Sequence, residues 1–234
     1  MKVSSGMAGA LAVLLGSSFA RAQERPVEPA EPARTTPRAR TGFQLALRTG
    51  VSIPFGKYAD SSAANMSDFV SPQVPLLVDI GGKVGRHVFI GGYLGLGFGG
   101  AAGTTSGVCD RTNASCAAVS LRLGPEVLFF FMPDQKVDPW VGYGIGWEST
   151  ALASSTDRLD SAMGFAGVEF AHLMGGVDFR LSRIFGIGPF VDFALGSYSR
   201  YSFQTDPGPD DDGSIDDTAL HGWLTVGARF VFFP

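Results

Sequence analysis

The chain has 234 residues and a formal net charge of −4 at pH 7. This length suffices for one sizeable domain, and the slightly acidic balance gives no reason to expect nucleic acid as a partner. Glycine occurs 32 times, about twice its average usage, while charged residues make up only 17% of the chain. Such a composition favours short strands and tight turns over helices.

The first 22 residues have the features of a secretory signal peptide. Lys2 precedes an apolar run from Met7 to Gly16, which is too short to span a bilayer as a helix. Ala20 and Ala22 supply the small residues of a cleavage site. We therefore expect export and cleavage after Ala22; the alternative is an uncleaved anchor.

Residues 23–41 form a second, proline-rich segment. The prolines lie among Glu, Arg and Thr, with almost no large apolar side chain to bury. They are Pro26, Pro29, Pro32 and Pro37. The composition predicts a flexible tail acting as a spacer, with contact to the cell wall as the alternative.

From Gly42 onward, apolar residues alternate with small or polar ones, a period typical of strands with one apolar face. The eight predicted strands cover about 43–56, 73–84, 88–99, 118–131, 137–148, 168–180, 187–198 and 220–233. No later segment reaches the ~18 consecutive apolar residues of a transmembrane helix. Membrane insertion would therefore require a closed barrel of these strands, residues 42–234.

The predicted connections fall into two classes. Those at 85–87, 132–136 and 181–185 are short, whereas those at 57–72, 100–117, 149–167 and 199–219 are long and polar. Short turns alternating with long loops are typical of an up-and-down outer-membrane barrel with periplasmic turns and external loops. Aromatic residues fall near both expected membrane interfaces, for example Phe129 and Phe232 at one and Phe98 and Trp147 at the other.

In Pro139–Glu148 glycine alternates with apolar residues, and Gly227–Phe233 is a closing aromatic run. These two segments resemble strands of the small outer-membrane barrels related to the OmpA membrane domain, OmpX and OmpW. The resemblance implies an antiparallel eight-stranded barrel in the outer membrane of a Gram-negative bacterium, surrounded by lipid and lipopolysaccharide. It also implies that insertion machinery reads the C-terminal strand. We expect a monomer.

The prolines depart from this pattern, because each removes a hydrogen bond from the strand ladder. Most lie near predicted strand ends, but Pro125 falls inside a strand, and the chain ends in Pro234 rather than in the aromatic residue. The others are Pro54, Pro75, Pro139 and Pro189.

Charges of both signs fall on the inward face of the predicted strands. They are Arg48, Asp79, Lys83, Arg122, Glu126, Asp178, Arg180, Asp192 and Arg229. Since the lumen of eight strands is just wide enough for side chains, we expect these residues to form a structural salt-bridge network. The alternative is a narrow pore gated by that network.

Inward glycines have two possible roles. Those concerned are Gly91, Gly95, Gly97, Gly142, Gly144 and Gly146. They leave room beside Tyr93 and Trp140 that could seat an apolar ligand. We prefer the explanation that they accommodate large neighbouring side chains.

The second long loop contains both cysteines, Cys109 and Cys116, which in an exported protein are expected to form a disulfide. No metal site is expected there, because no histidine lies near them in sequence. The fourth loop is acidic, and a solvated loop is expected rather than a calcium site. Its carboxylates are Asp206, Asp210, Asp211, Asp212, Asp216 and Asp217.

The three histidines are the candidate catalytic residues of an enzyme. His172 is predicted inward, with Glu169 at a rim, while His87 lies in a turn and His221 near the outer end of the last strand. No serine and acid accompany them at a catalytic spacing, so no enzyme and no cofactor are expected. A lipid-modifying enzyme is the remote alternative.

We therefore expect a non-enzymatic barrel that stabilises the envelope or recognises a partner through its external loops. The alternatives are a narrow channel for small or apolar solutes and, less well supported, a soluble ligand-binding barrel. The last would need polar outward faces, which the sequence lacks on nearly every strand.

Overall fold

A computed structural model describes residues 42–60, 65–156, 160–206 and 208–233. The signal peptide (1–22) and the proline-rich tail (23–41) fall outside these ranges and stay predictions. Among the described residues, no helix is long and apolar enough to cross a membrane.

Within those ranges, nine antiparallel strands form one sheet. They are β1 (Phe43–Gly56), β2 (Val74–Val84), β3 (Val88–Gly99), β4 (Ser115–Phe130), β5 (Val137–Ser155), β6 (Asp160–Arg180), β7 (Phe185–Asp206), β8 (Asp211–Ser214) and β9 (His221–Phe232). Each strand from β1 to β7 pairs with the next along the chain, and β9 pairs with both β7 and β1. Eight strands thus close into an up-and-down barrel, while β8 only extends the sheet beside β7. The predicted all-β fold is confirmed.

The barrel is apolar outside and polar inside. Outward residues such as Ile80, Leu94 and Val226 are about half exposed, whereas the inward side chains of Arg48 and Asp79 are almost completely buried. A soluble protein has the opposite arrangement. An outward apolar band around a polar interior is the arrangement of a membrane-spanning barrel.

Two predicted external loops are wrong in extent. Residues 149–155 continue β5, residues 160–167 belong to β6, and residues 199–206 continue β7. We call these three segments together with β8 the external sheet. The sequence pattern missed them because outward positions beyond Trp147 change from large apolar residues to small or polar ones, such as Ala151. Strand pairing continues nonetheless, since backbone hydrogen bonds do not need an apolar face.

The other two long connections contain short helices that the sequence did not predict. A 3₁₀ turn, Met66–Asp68, lies between β1 and β2, and helix α1 (Gly103–Thr112) lies between β3 and β4. The backbone amide of Ala102 donates to the carbonyl of Phe69 at 3.0 Å, which joins the two connections.

The register of β6 is irregular next to the lumen. Its pairing with β5 and β7 shifts by one residue around Phe170 and Ala171. This β-bulge places two residues rather than one between Glu169 and His172. Both side chains therefore face the lumen, although residues three apart on a regular strand point to opposite faces.

Pro125 occupies the middle of β4 without a change of register. It lies opposite Gly92 of β3, and its ring is exposed on the outward face. Pairing with β5 pauses at Gly124 and Pro125 and resumes in the same register. The barrel therefore tolerates the missing amide as a local interruption.

Candidate functional site

The periplasmic half of the lumen is filled by large apolar side chains. The buried residues of this cluster are Phe89, Leu128, Phe130, Trp140, Met174 and Phe190. The Nζ of Lys83 lies 3.7 Å from the centroid of the Phe130 ring, so even the cation at this end packs against an aromatic face.

Arg48 is the centre of the charged layer above this cluster. Its guanidinium donates to Asp79 Oδ1 at 2.7 and 3.1 Å and to Asp192 Oδ2 at 3.1 Å. Glu126 lies 3.6 Å from the same group. Three carboxylates from three different strands thus converge on one fully buried arginine, which links β2, β4 and β7 to β1.

Arg229 is the centre of a second group of ion pairs. We call Arg48 and Arg229, each with its carboxylate partners, the two hubs of the lumen. It forms an ion pair with Asp178, and Asp178 also accepts a hydrogen bond from Trp140 Nε1 at 3.1 Å. The guanidinium lies 4.7 Å from the Trp140 ring and 3.7 Å from Asp79. The indole thus joins the charged layer to the apolar cluster below.

The bulge in β6 contributes a third group. His172 Nε2 lies 2.6 Å from Asp192 Oδ2, and its Nδ1 lies 2.8 Å from Glu169 Oε1. The Tyr93 hydroxyl donates to Glu169 at 2.6 Å, and Arg122 lies 3.7 Å from the same carboxylate. The imidazole therefore connects the Arg48 hub to the Arg122 side of the lumen.

Glu148 organises the outer end of the lumen. It accepts hydrogen bonds from the Tyr198 hydroxyl at 2.6 Å and from Trp223 Nε1 at 2.7 Å. His221 lies 3.4 Å from the same carboxylate, and its ring stacks on Tyr198 with centroids 3.8 Å apart. All four residues are buried, so this end is also filled.

The 3₁₀ turn covers the mouth above Glu148. Met66 and Val70 are buried in one cluster with Tyr198 and Trp223 of the barrel wall. Helix α1 lies beside this turn, and a disulfide joins Cys109 of α1 to Cys116 of β4. The predicted disulfide thus anchors the second connection to the barrel, next to the turn that closes the mouth.

The structure places the nine predicted charges as follows. Six of them form the Arg48 and Arg229 hubs. Of the other three, Arg122 faces Glu169, Arg180 lies 3.6 Å from Asp138, and Lys83 packs on Phe130. The six are Arg48, Asp79, Glu126, Asp178, Asp192 and Arg229. The alternative that this network gates a narrow pore stays a prediction.

Several network members were missing from that prediction. They are Tyr93, Asp138, Glu148, Glu169, His172, Tyr198, His221 and Trp223. The alternation of β5 already placed Glu148 inward, and that signal could have found it. Glu169, expected at a rim, is instead fully buried in the lumen, because the bulge reverses the alternation at that point.

The inward glycines accommodate large neighbours. A Cβ at Gly142 would lie 2.3 Å from Leu128 Cδ2, and one at Gly146 would lie 2.3 Å from the Tyr93 hydroxyl. A Cβ at Gly91 would lie 2.5 Å from the Phe89 ring. These distances are far below van der Waals contact, so the space beside these glycines is already occupied.

Fold and lumen together define a transmembrane β-barrel of the outer-membrane type, with an interior filled by side chains. No protein-family model and no curated protein sequence matches the chain.

Solved structures do match it. A major outer membrane protein from Thermus thermophilus is 14% identical with a TM-score of 0.51, over 82% of this chain and 100% of that chain. AlkL, an outer membrane protein studied in lipid bilayers, is 14% identical with a TM-score of 0.48, over 88% and 97%. Ail, the attachment invasion locus protein of Yersinia pestis, is 10% identical with a TM-score of 0.46, over 82% and 100%. The chain has the fold of the outer-membrane barrels, in agreement with the expected location.

Proposed function

We propose that this barrel is closed to solutes and that its role is carried by its external sheet and loops, as a surface that stabilises the envelope or recognises a partner. The observation that carries the proposal is the continuous filling of the lumen. Apolar side chains fill one end, the Arg48 and Arg229 hubs fill the middle, and Tyr198 with Trp223 fills the outer end.

The mouth adds a second barrier. Met66 is buried against the barrel wall, and the turn that carries it is joined to the connection containing α1. A solute entering from outside would have to displace this turn before reaching Glu148.

The external sheet supports a role outside the membrane. The strands β5, β6 and β7 have 19, 21 and 22 residues, whereas a transmembrane strand needs about 9–11. Their surplus length forms ordered structure beyond the apolar band. An ordered sheet presents its side chains in fixed positions, which suits recognition better than a flexible loop does.

The outward apolar band is in contact with lipid. We also propose that insertion machinery recognises the C-terminal strand of the chain and that the protein works as a monomer. In support, β9 is the strand that closes the barrel against β1, and its Phe232 is exposed at one interface.

Catalysis is not part of the proposal. His172 and Glu169 are fully buried, and His221 is almost completely buried. A substrate at the surface would not reach these groups in this conformation.

Single-channel recording in a planar bilayer tests the closure. We expect stable insertion of the wild-type protein without conductance steps, and steps only in a variant that weakens all three barriers: Met66→Ser at the mouth, Arg48→Ser in the charged layer, and Phe130→Ala with Trp140→Ala in the apolar cluster. Arg86→Ala is the matched control, since Arg86 pairs with Asp134 outside the lumen. Steady openings of the wild type would overturn the proposal and favour the narrow channel.

A further inference from the structure

A groove crosses the outward face of the external sheet. Its volume is about 750 Å³, and it runs over the outer ends of β4, β5, β6 and β7, with the connection between β7 and β8 along one side. Ligand pockets commonly have volumes of ~300–1,000 Å³ and are mostly apolar. The described residues that line this groove instead carry hydroxyl, amide and carboxylate groups, and none is a large apolar residue. A ligand that fits the groove therefore has to be polar as well.

Two cross-strand rows of side chains form the floor of the groove. One row has three small residues and an amide, and it consists of Ala117, Ala153, Ala162 and Gln204. The other row is polar throughout, and it consists of Ser115, Ser155, Asp160 and Asp206. Four strands about 4.8 Å apart make each row about 14 Å long, and the rows lie about 7 Å from each other. A shelf of methyl groups beside a line of hydrogen-bonding groups suits a short chain of sugar rings, which has apolar faces and polar edges.

The polar row holds two carboxylates side by side. Asp160 and Asp206 lie directly opposite each other on β6 and β7, and both are exposed. Like charges in this arrangement destabilise a sheet. Asp210 adds a third carboxylate, whereas no lysine or arginine is among the described residues of the lining. A cationic group between Asp160 and Asp206 would offset their repulsion, and an anionic ligand would add to it.

The hydrogen bonding indicates which kind of cation fits. The Ser155 hydroxyl donates to Asp160 Oδ1 at 2.6 Å, which orients that carboxylate and leaves Oδ2 for a ligand. An ammonium group has three donors for such oxygens. Over the described residues, no three carboxylates, histidines or cysteines lie close enough together to hold a metal ion. An amine carried by a hydroxyl-rich ligand thus matches the whole groove, including its shelf and its hydroxyl groups.

We propose that this groove binds an oligosaccharide that carries amino groups. An ammonium of the ligand lies between Asp160 and Asp206, its rings lie over Ala153 and Ala162, and its hydroxyl groups bond to Gln204. The inference rests on the recognition role proposed for the external sheet, and it names the ligand class of that surface. The strands that carry these groups are paired on both sides, so the groups are in place before the ligand arrives and little ordering is needed on binding.

Titration calorimetry of the protein in lipid nanodiscs tests this with three probes: a glucosamine trimer, its N-acetylated form, and spermidine. At about pH 6 the aspartates are ionised and the amines are protonated. We expect the glucosamine trimer to bind at least about tenfold more tightly than the N-acetylated trimer, which cannot form the charge-assisted hydrogen bonds. It should also bind more tightly than spermidine, which has amines but no rings or hydroxyls. No binding of the glucosamine trimer, or equal binding of either other probe, would overturn the proposal.

Variants locate the site. Asp160→Asn with Asp206→Asn keeps the size of both side chains and removes their charge, so the preference for the glucosamine trimer over its N-acetylated form should disappear. Ala153→Phe covers the shelf and should abolish binding of both trimers. Asp212→Asn is the matched control, because Asp212 lines a neighbouring cleft. All four positions are exposed, so the variants should refold like the wild type. A preference that survives in the double variant would contradict the site.

Free aminoglycans and the sugar headgroups of membrane lipids share this chemistry, and nanodiscs with and without lipopolysaccharide distinguish the two sources. If headgroup sugars of the same leaflet occupy the groove, lipopolysaccharide weakens binding of the glucosamine trimer; if the ligand is a free aminoglycan, the affinity is the same in both. The two proposals also fail differently. Conductance of the wild type would overturn the closed barrel without affecting trimer binding, whereas a closed barrel that does not bind the trimer would overturn only the saccharide site.

Discussion

The hydroxyl of Tyr143 donates a hydrogen bond to the backbone carbonyl of Phe170 at 2.9 Å, on the outward face of the barrel. Phe170 lies in the bulge of β6, where the ladder is interrupted. In lipid no water can satisfy such a carbonyl. A side chain on the lipid side therefore stabilises the backbone distortion that turns Glu169 and His172 together into the lumen.

We expect Tyr143→Phe to lower the free energy of unfolding by about 1–3 kcal/mol, the cost of leaving a buried acceptor without its donor. Urea titration of the protein in lipid vesicles measures this. Tyr201→Phe is the control, because the Tyr201 hydroxyl is outside the membrane and its hydrogen bond to Asp211 is long, at 3.5 Å. Equal effects of both variants would contradict a special role for the Tyr143 bond.

Loss of the Arg48 side chain should be far more damaging than loss of a surface arginine. Arg48→Ala leaves Asp79, Asp192 and Glu126 without their shared cation in a buried site, a change that costs about 3–5 kcal/mol. Arg86→Ala breaks a pair whose side chains are 43% and 48% exposed, and should cost less than about 1 kcal/mol. Unfolding midpoints of both variants, measured in the same vesicles, check the difference. Similar midpoints would show that the hub contributes little to stability.

Close packing around the inward glycines predicts a position-dependent effect of one methyl group. Gly146→Ala would bring a Cβ within 2.4 Å of the Leu123 carbonyl, which cannot move without shifting β4. We expect a loss of about 1–3 kcal/mol and a lower yield of refolded barrel. Gly82→Ala, with its nearest atom at 3.7 Å, should refold like the wild type. Refolding yield from urea into detergent micelles, followed by heat-sensitive gel mobility, separates them; normal yield for Gly146→Ala would refute the packing argument.

The disulfide predicts a specific protease pattern. Arg111 is exposed in α1, between the two cysteines. Trypsin added to intact cells should cleave after Arg111 slowly, and the two fragments should separate only on reduction. In a Cys109→Ser, Cys116→Ser double variant, cleavage should be faster and the fragments should separate without reductant. Cleavage at Arg200, which lies in β7, is the control and should be the same in the wild type and in the double variant. Resistance of Arg111 in intact cells would place this connection on the periplasmic side.

The sequence predicted the barrel well because lipid imposes a simple rule on outward residues. Alternation located all eight barrel strands, and the inward charges followed from the same period of two. This rule applies only to residues that face lipid, and so the extra residues of β5 and β7 were predicted to be loops. The turn at Met66 could not be predicted either, since its burial depends on Trp223 and Tyr198, which are far away in sequence.

The interior was harder to predict than the outline. Alternation shows that Asp192 and His172 face the lumen, but not that they meet at 2.6 Å, because that depends on strand shear. The bulge at Phe170 breaks the period, so Glu169 was expected at the wrong place. Neutral partners such as Tyr93 carry no charge pattern and could be found only in three dimensions.

The strand lengths make the rim of this barrel steeply uneven. At ~3.3 Å per residue and a tilt of ~40°, the 22 residues of β7 rise about 55 Å, whereas the 11 residues of β2 rise about 28 Å. One wall therefore stands well above the lipid headgroups while the opposite wall ends near them. An approaching macromolecule would meet the protein from one side, so that rotation of the barrel about the membrane normal determines which neighbours the tall wall can reach.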